Sequence, residues 1–306
     1  MNLRQRQQRA SRVICVTEAE IATNQRSPRR FDAALGVFGK VFSAAGVLLL
    51  LFVGYQLWGT GLSEQRAQDD LTRTFMSQAP SNPKYGDPIT RIEIPTLGVN
   101  KIVVAGVDFE ALKKGPGLFE GSPLPGQLGN VAIAGHRTSY GAPFARLNEL
   151  AIGDEIVLSR DGSTFTYTVS KKPFVVNPSQ VEVVETTDTT VAQLTLVTCH
   201  PKWTSAKRLI VKANLDSTVT PQPPTVYSPT TVAVTGGFDA GWFHDPSAIP
   251  GVLVLALLLS MMAYMALQSV KRGRSAWVVY PVTSVVFLPV LFVFFGFLTR
   301  ILPANI

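Results

Sequence analysis

The hydrophobic pattern divides the chain into three long apolar stretches and one region of short β-type runs. The apolar stretches are Val41 to Trp58, Ile249 to Val270 and Ala276 to Leu298. A membrane-crossing helix needs about 20 mostly apolar residues, and the second and third stretches meet that with no internal charge. The first is slightly short, and extension back through Phe31-Asp32-Ala33-Ala34-Leu35 supplies the length. Tyr55 and Trp58 sit at its far end, where aromatic rings favour the membrane interface. A cleaved signal peptide is the competing reading of this stretch. Its apolar run exceeds the roughly 7–15 residues of a signal core, and a long leader precedes it. No small-x-small pattern follows Leu57-Trp58-Gly59-Thr60-Gly61, so the expectation is an uncleaved anchor.

After the first stretch the chain is polar. Ser63-Glu64-Gln65-Arg66-Ala67-Gln68-Asp69-Asp70 has helical composition, Ala79-Pro80-Ser81-Asn82-Pro83 breaks it, and the segment reads as a stalk. From Ile89 to Leu215 short β-type runs alternate with turn signals. These runs are Arg91–Ile94, Lys101–Val104, Asn130–Gly135, Glu155–Leu158, Phe165–Val169, Phe174–Val176, Gln193–Val197 and Arg208–Ala213. Asp161-Gly162 between the fourth and fifth is a strong hairpin signal. Short helices fit only near Glu110–Lys113 and Phe144–Leu150. Regular strand spacing with few helices predicts a mainly β fold, a barrel or a sandwich of about eight strands. Ser217 to Thr231 is rich in Thr, Pro and Ser, a composition that favours an extended spacer.

The expected organisation is a basic leader (1–40), a first span (41–58), a stalk (59–88) and a folded domain (89–216). A linker (217–248), a second span (249–270), a short loop (271–275) and a third span (276–299) follow.

The net charge of +7 changes meaning once these spans are drawn. Arg4, Arg6, Arg9, Arg12, Arg26, Arg29 and Arg30 lie in the leader, and Lys40, Lys271, Arg272 and Arg274 also flank spans. Positive residues beside a span mark its cytoplasmic end. The leader and the 271–275 loop both give the same orientation: N-terminus in the cytoplasm, folded domain outside, a multi-pass cell-membrane protein. Topology accounts for this charge, and nucleic acid is not an expected partner.

Two cysteines occur in the chain, Cys15 in the leader and Cys199 in the folded domain. A single cysteine in an outside domain has no intramolecular bridge to form, which points to a reactive thiol. Cys199 closes an apolar strand and opens into His200-Pro201-Lys202-Trp203-Thr204-Ser205, a segment expected to leave the strand. A thiol nucleophile needs a cation or base beside it. His136, in Ala134-Gly135-His136-Arg137-Thr138-Ser139-Tyr140-Gly141, also stands where a strand opens into a loop. His200 is expected to point away from its neighbour Cys199, and His244 lies in the linker. A hairpin after Cys199 brings back either Arg208 or Lys207 as a cation, and spacing leaves both open.

Other chemistries are poorly supplied. The domain lacks four close Cys or His ligands for zinc. Ser163 and Ser205 have no Gly-x-Ser-x-Gly context, no glycine-rich phosphate loop precedes a helix, and spans without ionisable residues argue against a channel or transporter. No metal and no cofactor is expected.

Thr195-Leu196-Val197-Thr198-Cys199 resembles the TLxTC signature of the sortases, cysteine transpeptidases of Gram-positive bacteria. Ala134-Gly135-His136-Arg137 is similar to the segment bearing their histidine, and Arg208, nine residues after the cysteine, matches their arginine. Ile92-Glu93-Ile94-Pro95-Thr96-Leu97-Gly98-Val99 and Gly115-Pro116-Gly117 are also similar to the family, and the resemblance covers about residues 88–215. It implies an eight-stranded β-barrel with catalytic Cys199, His136 and Arg208. Thr198 and Tyr140 are the candidate substrate-binding residues. The implied partners are secreted proteins with LPxTG-like or LAxTG-like sorting signals, cleaved between Thr and Gly. The implied acceptor is a peptidoglycan precursor (lipid II) or a pilin lysine.

His136 to Phe144 looks most like the class E sortases of Actinobacteria, which implies cell-wall anchoring. The pilus-building class C enzymes carry an Asp-Pro-aromatic lid, and here Ile89 follows Asp87-Pro88, while their frequent C-terminal span has a parallel in this chain. A pilin-polymerising enzyme is therefore the alternative, and an inactive membrane-tethered binding or scaffold module is the alternative of another class.

Overall fold

The computed structural model describes residues 28–77, 83–223 and 246–301. Cys15 and His244 lie outside the described residues. The chain divides into two compact units, Met1–Val53 and Gly54–Ile306. Helix α1 (Pro28–Gly54) provides the described part of the first unit. The second opens with a π-helical turn (Tyr55–Gly59) and α2 (Thr60–Ser77). Its barrel strands are β1 (Pro88–Ile94), β2 (Val99–Ala105), β3 (Gly117–Leu118), β4 (Gly129–Ala134), β5 (Glu155–Arg160), β6 (Ser163–Val169), β7 (Phe174–Val176), β8 (Ala192–His200) and β9 (Lys207–Leu215). A short α3 (Phe109–Leu112) follows β2, and α4 (Ile249–Lys271) and α5 (Ala276–Ile301) end the unit.

The strands form one sheet in the order β6-β5-β1-β2-β3-β4-β8-β9-β7, and β6 also pairs with β9. That second pairing, Tyr167 opposite Leu215 through Val169 opposite Ala213, closes eight strands into a barrel. β7 hangs outside the ring on β9. The eight-stranded closed barrel expected from the sequence is therefore present, with β7 as a ninth strand.

Closure sets which side chains face inward. Ile92, Ile94, Val103, Leu118, Ile133, Ile156, Leu158, Tyr167, Leu196 and Val211, drawn from around the ring, form one buried cluster. This is the barrel interior, filled by alternate residues of each strand. Ala134, Val197 and Ile210 belong to a separate cluster with Leu112 and Val176, on the outer face.

The β5–β6 hairpin turns at Asp161 (φ 51°) and Gly162 (φ 76°), the paired left-handed conformation that Asp-Gly favours. β3 has only two residues and no readable alternation, so the sequence gives no sign of it. At Gly117 an added Cβ would lie 2.1 Å from the Gly106 carbonyl oxygen, so only glycine allows this close approach. The helix expected over Phe144–Leu150 is instead a single 3₁₀ turn, Leu147–Glu149. Phe144, Leu147 and Leu150 are all buried, and their three-residue spacing suits a 3₁₀ period better than 3.6. The strand β8 also runs one residue further than expected, through His200.

The segment read as a stalk is mostly α2, and α2 is docked on the barrel. Leu71 shares a buried cluster with Ile102, Val104 and Ala111. Gln68 Nε2 donates to the carbonyls of Ile102 (3.0 Å) and Lys114 (2.7 Å), and its Oε1 accepts from Ile102 N–H at 2.7 Å. Lys101 Nζ reaches the buried Glu64 carboxylate at 2.7 Å. The linker's first residues are also held, since Gln222 bonds to Gly126 and Leu128 through its backbone.

Three helical stretches are long and apolar enough to cross a membrane by length and composition: Phe38–Ser77, Ile249–Lys271 and Ala276–Ile301. α4 and α5 pack antiparallel, with Gly251 near the start of one lying against the Phe297 ring near the end of the other.

Candidate active site

β4 and β8 run parallel, with Ala134 opposite Val197. The ladder continues one step, as Gly135 N–H donates to the Val197 carbonyl at 3.1 Å. Counting on, His136 stands level with Cys199 at the ends of adjacent strands, on the outer face to which Ala134 and Val197 contribute. β9 returns antiparallel, pairing Val197 with Ile210 and Cys199 with Arg208. The histidine, cysteine and arginine thus come from three neighbouring strands at one rim of the barrel.

Arg208 Nη1 lies 3.8 Å from Cys199 Sγ and also donates to the Ser205 carbonyl at 2.9 Å. Lys207, the competing cation, sits opposite His200 instead and is exposed. Cys199 is 2% exposed. Burial pushes its thiol up to about 11, with Arg208 and Arg137 pulling the other way. Desolvation wins because removing a thiolate from water costs more than two partly screened cations return.

Arg137 ties the ends of β4 and β8 together, which its type and position alone did not mark out. One Nη1 donates to the Cys199 carbonyl at 2.9 Å and to His200 Nδ1 at 2.9 Å, while Nη2 donates to Asn148 Oδ1 at 2.8 Å. A guanidinium has no acceptor, so His200 Nδ1 must offer a lone pair. Burial, with Arg137 and Lys207 nearby, holds the His200 pKa below the usual histidine value. His200 is thus a neutral acceptor committed to Arg137.

Thr198 and Tyr140 are the candidate substrate-binding residues. Both are buried. The Thr198 hydroxyl donates to the Gly135 carbonyl at 2.7 Å, tying β8 to the residue before His136. The Tyr140 ring packs on the imidazole of His136, with centroids 5.0 Å apart and planes at 36°. Ser139 Oγ lies 3.4 Å from His136 Nδ1.

Partly buried apolar residues, Val107, Phe119, Phe174, Val183 and Val184, pack around the outer-face cluster that leads up to Cys199. The loop bearing Val183 and Val184 is strapped down by Lys212, whose Nζ donates to the Val183 carbonyl at 2.8 Å, and by Asn130 Nδ2, which donates to the Val184 carbonyl at 3.0 Å. Among the described residues no group of three or more His, Cys, Asp or Glu side chains gathers around a point where a metal ion would sit.

Residues 92–216 match the family of sortase domains. Through these residues the chain carries a sortase domain. It is 31% identical to sortase SrtE1 of Streptomyces coelicolor over 216 residues, 63% of this chain and 60% of that protein. It is 26% identical to sortase SrtE2 of the same organism, over 62% of this chain and 86% of that one. A solved structure of sortase E from Streptomyces avermitilis is 43% identical, covers 44% of this chain and 91% of its own, and superposes with a TM-score of 0.40. The chain thus spans about three-fifths of the length of SrtE1.

Proposed function

We propose that this protein is a membrane-anchored cysteine transpeptidase. It cleaves a sorting signal of LPxTG or LAxTG type between Thr and Gly and joins the new carboxyl end to an amine of a cell-wall precursor. The observation that carries this reading is Arg208 facing Cys199 across the β8–β9 ladder, 3.8 Å from Sγ, with His136 level on the next strand.

Sγ of Cys199 attacks the Thr carbonyl carbon, and the thiol proton passes to His136. The carbonyl oxygen takes up negative charge, and Arg208 Nη1 donates to it, the role of an oxyanion donor. As the C–N bond breaks, His136 gives its proton to the departing Gly amine and leaves a thioester on Cys199. The acceptor amine then attacks the thioester carbon and loses a proton to His136. The returning proton restores the thiol as the new amide is released. The apolar band around Val183, Val184 and Phe174 suits the Leu-Pro or Leu-Ala part of such a signal.

Anchoring, not pilus assembly, is favoured by the fate of Asp87-Pro88. The Asp87 carboxylate accepts from Lys84 N–H at 2.9 Å, its carbonyl accepts from Ala105 N–H at 2.8 Å, and Pro88 begins β1. That pair is built into the sheet, not extended as a lid. The three apolar helices and the basic flanks support a multi-pass arrangement with the barrel outside the cell membrane.

The test uses the full chain in detergent, fluorescent LPxTG and LAxTG peptides, and an amine acceptor. A Cys199-linked thioester seen by mass spectrometry and a joined product are expected, and Cys199→Ala abolishes both. Product formation by Cys199→Ala at the wild-type rate would sink the mechanism.

A further inference from the structure

The loop that leaves β4 with His136 turns on three consecutive left-handed residues. Tyr140 has φ 48°, Gly141 φ 72° and Ala142 φ 43°. Glycine takes this conformation freely, whereas tyrosine and alanine hold it only where their surroundings enforce it. The turn closes on itself, since Ala142 N–H donates to the Ser139 carbonyl at 2.9 Å and Phe144 N–H to the His136 carbonyl at 3.1 Å. Two of its side chains meet the imidazole. The Tyr140 ring packs on the His136 ring at 5.0 Å between centroids, and Ser139 Oγ lies 3.4 Å from Nδ1. A shift of this turn therefore moves the surroundings of the imidazole.

What holds the turn from outside is α2. Thr60, the first residue of that helix, is 1% exposed. Its Oγ1 accepts the Tyr140 N–H at 3.1 Å and donates its own proton to Gln56 O at 2.7 Å. One helical turn on, Glu64 lies so close to Gly141 that an added Cβ there would stand 2.4 Å from Oε2. The same carboxylate takes the Lys101 ammonium at 2.7 Å, which ties this face of α2 to β2. A loop whose amides met water would need no such partner. Here the acceptor for an amide inside the strained turn comes from a helix that precedes the matched residues 92–216.

We propose that Thr60, acting through the backbone of Tyr140, is a positioning residue for His136, so that α2 is part of the working active site. This rests on the transpeptidase reading for its consequence in turnover, though the contacts themselves do not.

The test uses the full chain in detergent with ¹⁵N-labelled histidine, as wild type, Thr60→Val and Thr60→Ser. Valine keeps the shape and loses the hydroxyl, and serine keeps the hydroxyl. Thr60→Val is expected to shift the imidazole resonances of His136 and leave those of His200 in place. It is also expected to lower kcat about tenfold with KM nearly unchanged, the order that one neutral hydrogen bond carries. Thr60→Ser is expected to return both readouts toward wild type. Unchanged His136 resonances in Thr60→Val overturn the proposal, as does a serine variant as impaired as valine. A matching shift at His200 overturns it too, since that marks general loss of fold. A wild-type chain that joins no peptide removes the transpeptidase reading, while the resonances still decide the positioning role.

Discussion

Arg137 donates from its guanidinium to the main-chain carbonyl of Cys199 at 2.9 Å, so the residue after the histidine holds the residue that carries the thiol. The same guanidinium reaches His200 and Asn148 and is buried. Three charge-assisted hydrogen bonds from one planar group fix the spacing between the β4 and β8 ends. Loss of hydrogen bonds to a charged group costs about 1.5–3 kcal/mol, or roughly 10–100-fold in an equilibrium or rate. Arg137→Ala is expected to lower kcat/KM by that order in the peptide-joining assay. Arg137→Lys is expected to recover little, because an ammonium lacks the planar fork. Wild-type turnover in Arg137→Lys would show that charge alone suffices.

The burial of Cys199 gives a pH signature. With its thiol raised to about 11, the thiolate is scarce at neutral pH. Only the thiolate is alkylated, so the iodoacetamide rate should climb about tenfold per pH unit from 7 to 10 with no plateau. The stability consequence has a definite sign. The folded state keeps a proton that the unfolded thiol loses near 9.0, so this contribution is intact below that pH and is lost as pH rises through about 11. The unfolding free energy of the wild type, taken relative to Cys199→Ala, should fall across that alkaline window. An alkylation plateau below pH 8 would contradict the raised thiol pKa.

Arg208 separates two effects at one position. Its charge lowers the thiol pKa, and its Nη1 stands where an oxyanion forms. Arg208→Ala should therefore slow alkylation at pH 9, since the thiol pKa moves further up. Removal of an oxyanion donor costs about 10²–10³ in kcat. Arg208→Lys is expected to keep much of the alkylation rate while kcat stays low, because a lysine ammonium does not reproduce the guanidinium geometry. Equal recovery of both readouts by lysine would reduce the role of Arg208 to charge.

The barrel was legible because its information is local. Two short β-type runs, Gln193–Val197 and Arg208–Ala213, separated by one loop, imply a hairpin that returns a cation to Cys199, and the ladder pairs Cys199 with Arg208. β3 carries two residues and is specified by close packing at Gly117, which leaves no periodic trace. Nothing local in the sequence shows that Thr198 and Tyr140 are buried. Their hydrogen-bond partners, Gly135 and Thr60, come near only in the folded chain. The docking of α2 was hidden for the same reason. Glu64 and Gln68 read as solvated polar residues until the barrel supplies Lys101 and Ile102.

Gln68 carries that docking. β2 pairs with β3 only at Val104 and Ala105, so its backbone at Ile102 is without a strand partner on that side. The Gln68 carboxamide takes the place of the missing strand: Oε1 accepts from Ile102 N–H at 2.7 Å and Nε2 donates to Ile102 O at 3.0 Å. Gly115 is part of the fit, since a Cβ there would lie 2.2 Å from Nε2. Gln68→Ala leaves a buried donor and acceptor on β2 unsatisfied, each costing about 1–3 kcal/mol. The expected result is faster hydrogen exchange at the Ile102 amide and a loss of stability of that order in denaturant titration. Gln68→Glu should do worse than alanine at neutral pH, because a carboxylate faces the Ile102 and Lys114 carbonyls that Nε2 now satisfies. If Ile102 stays as protected in Gln68→Ala as in the wild type, α2 is held by the Glu64–Lys101 pair and the apolar contacts of Leu71 instead.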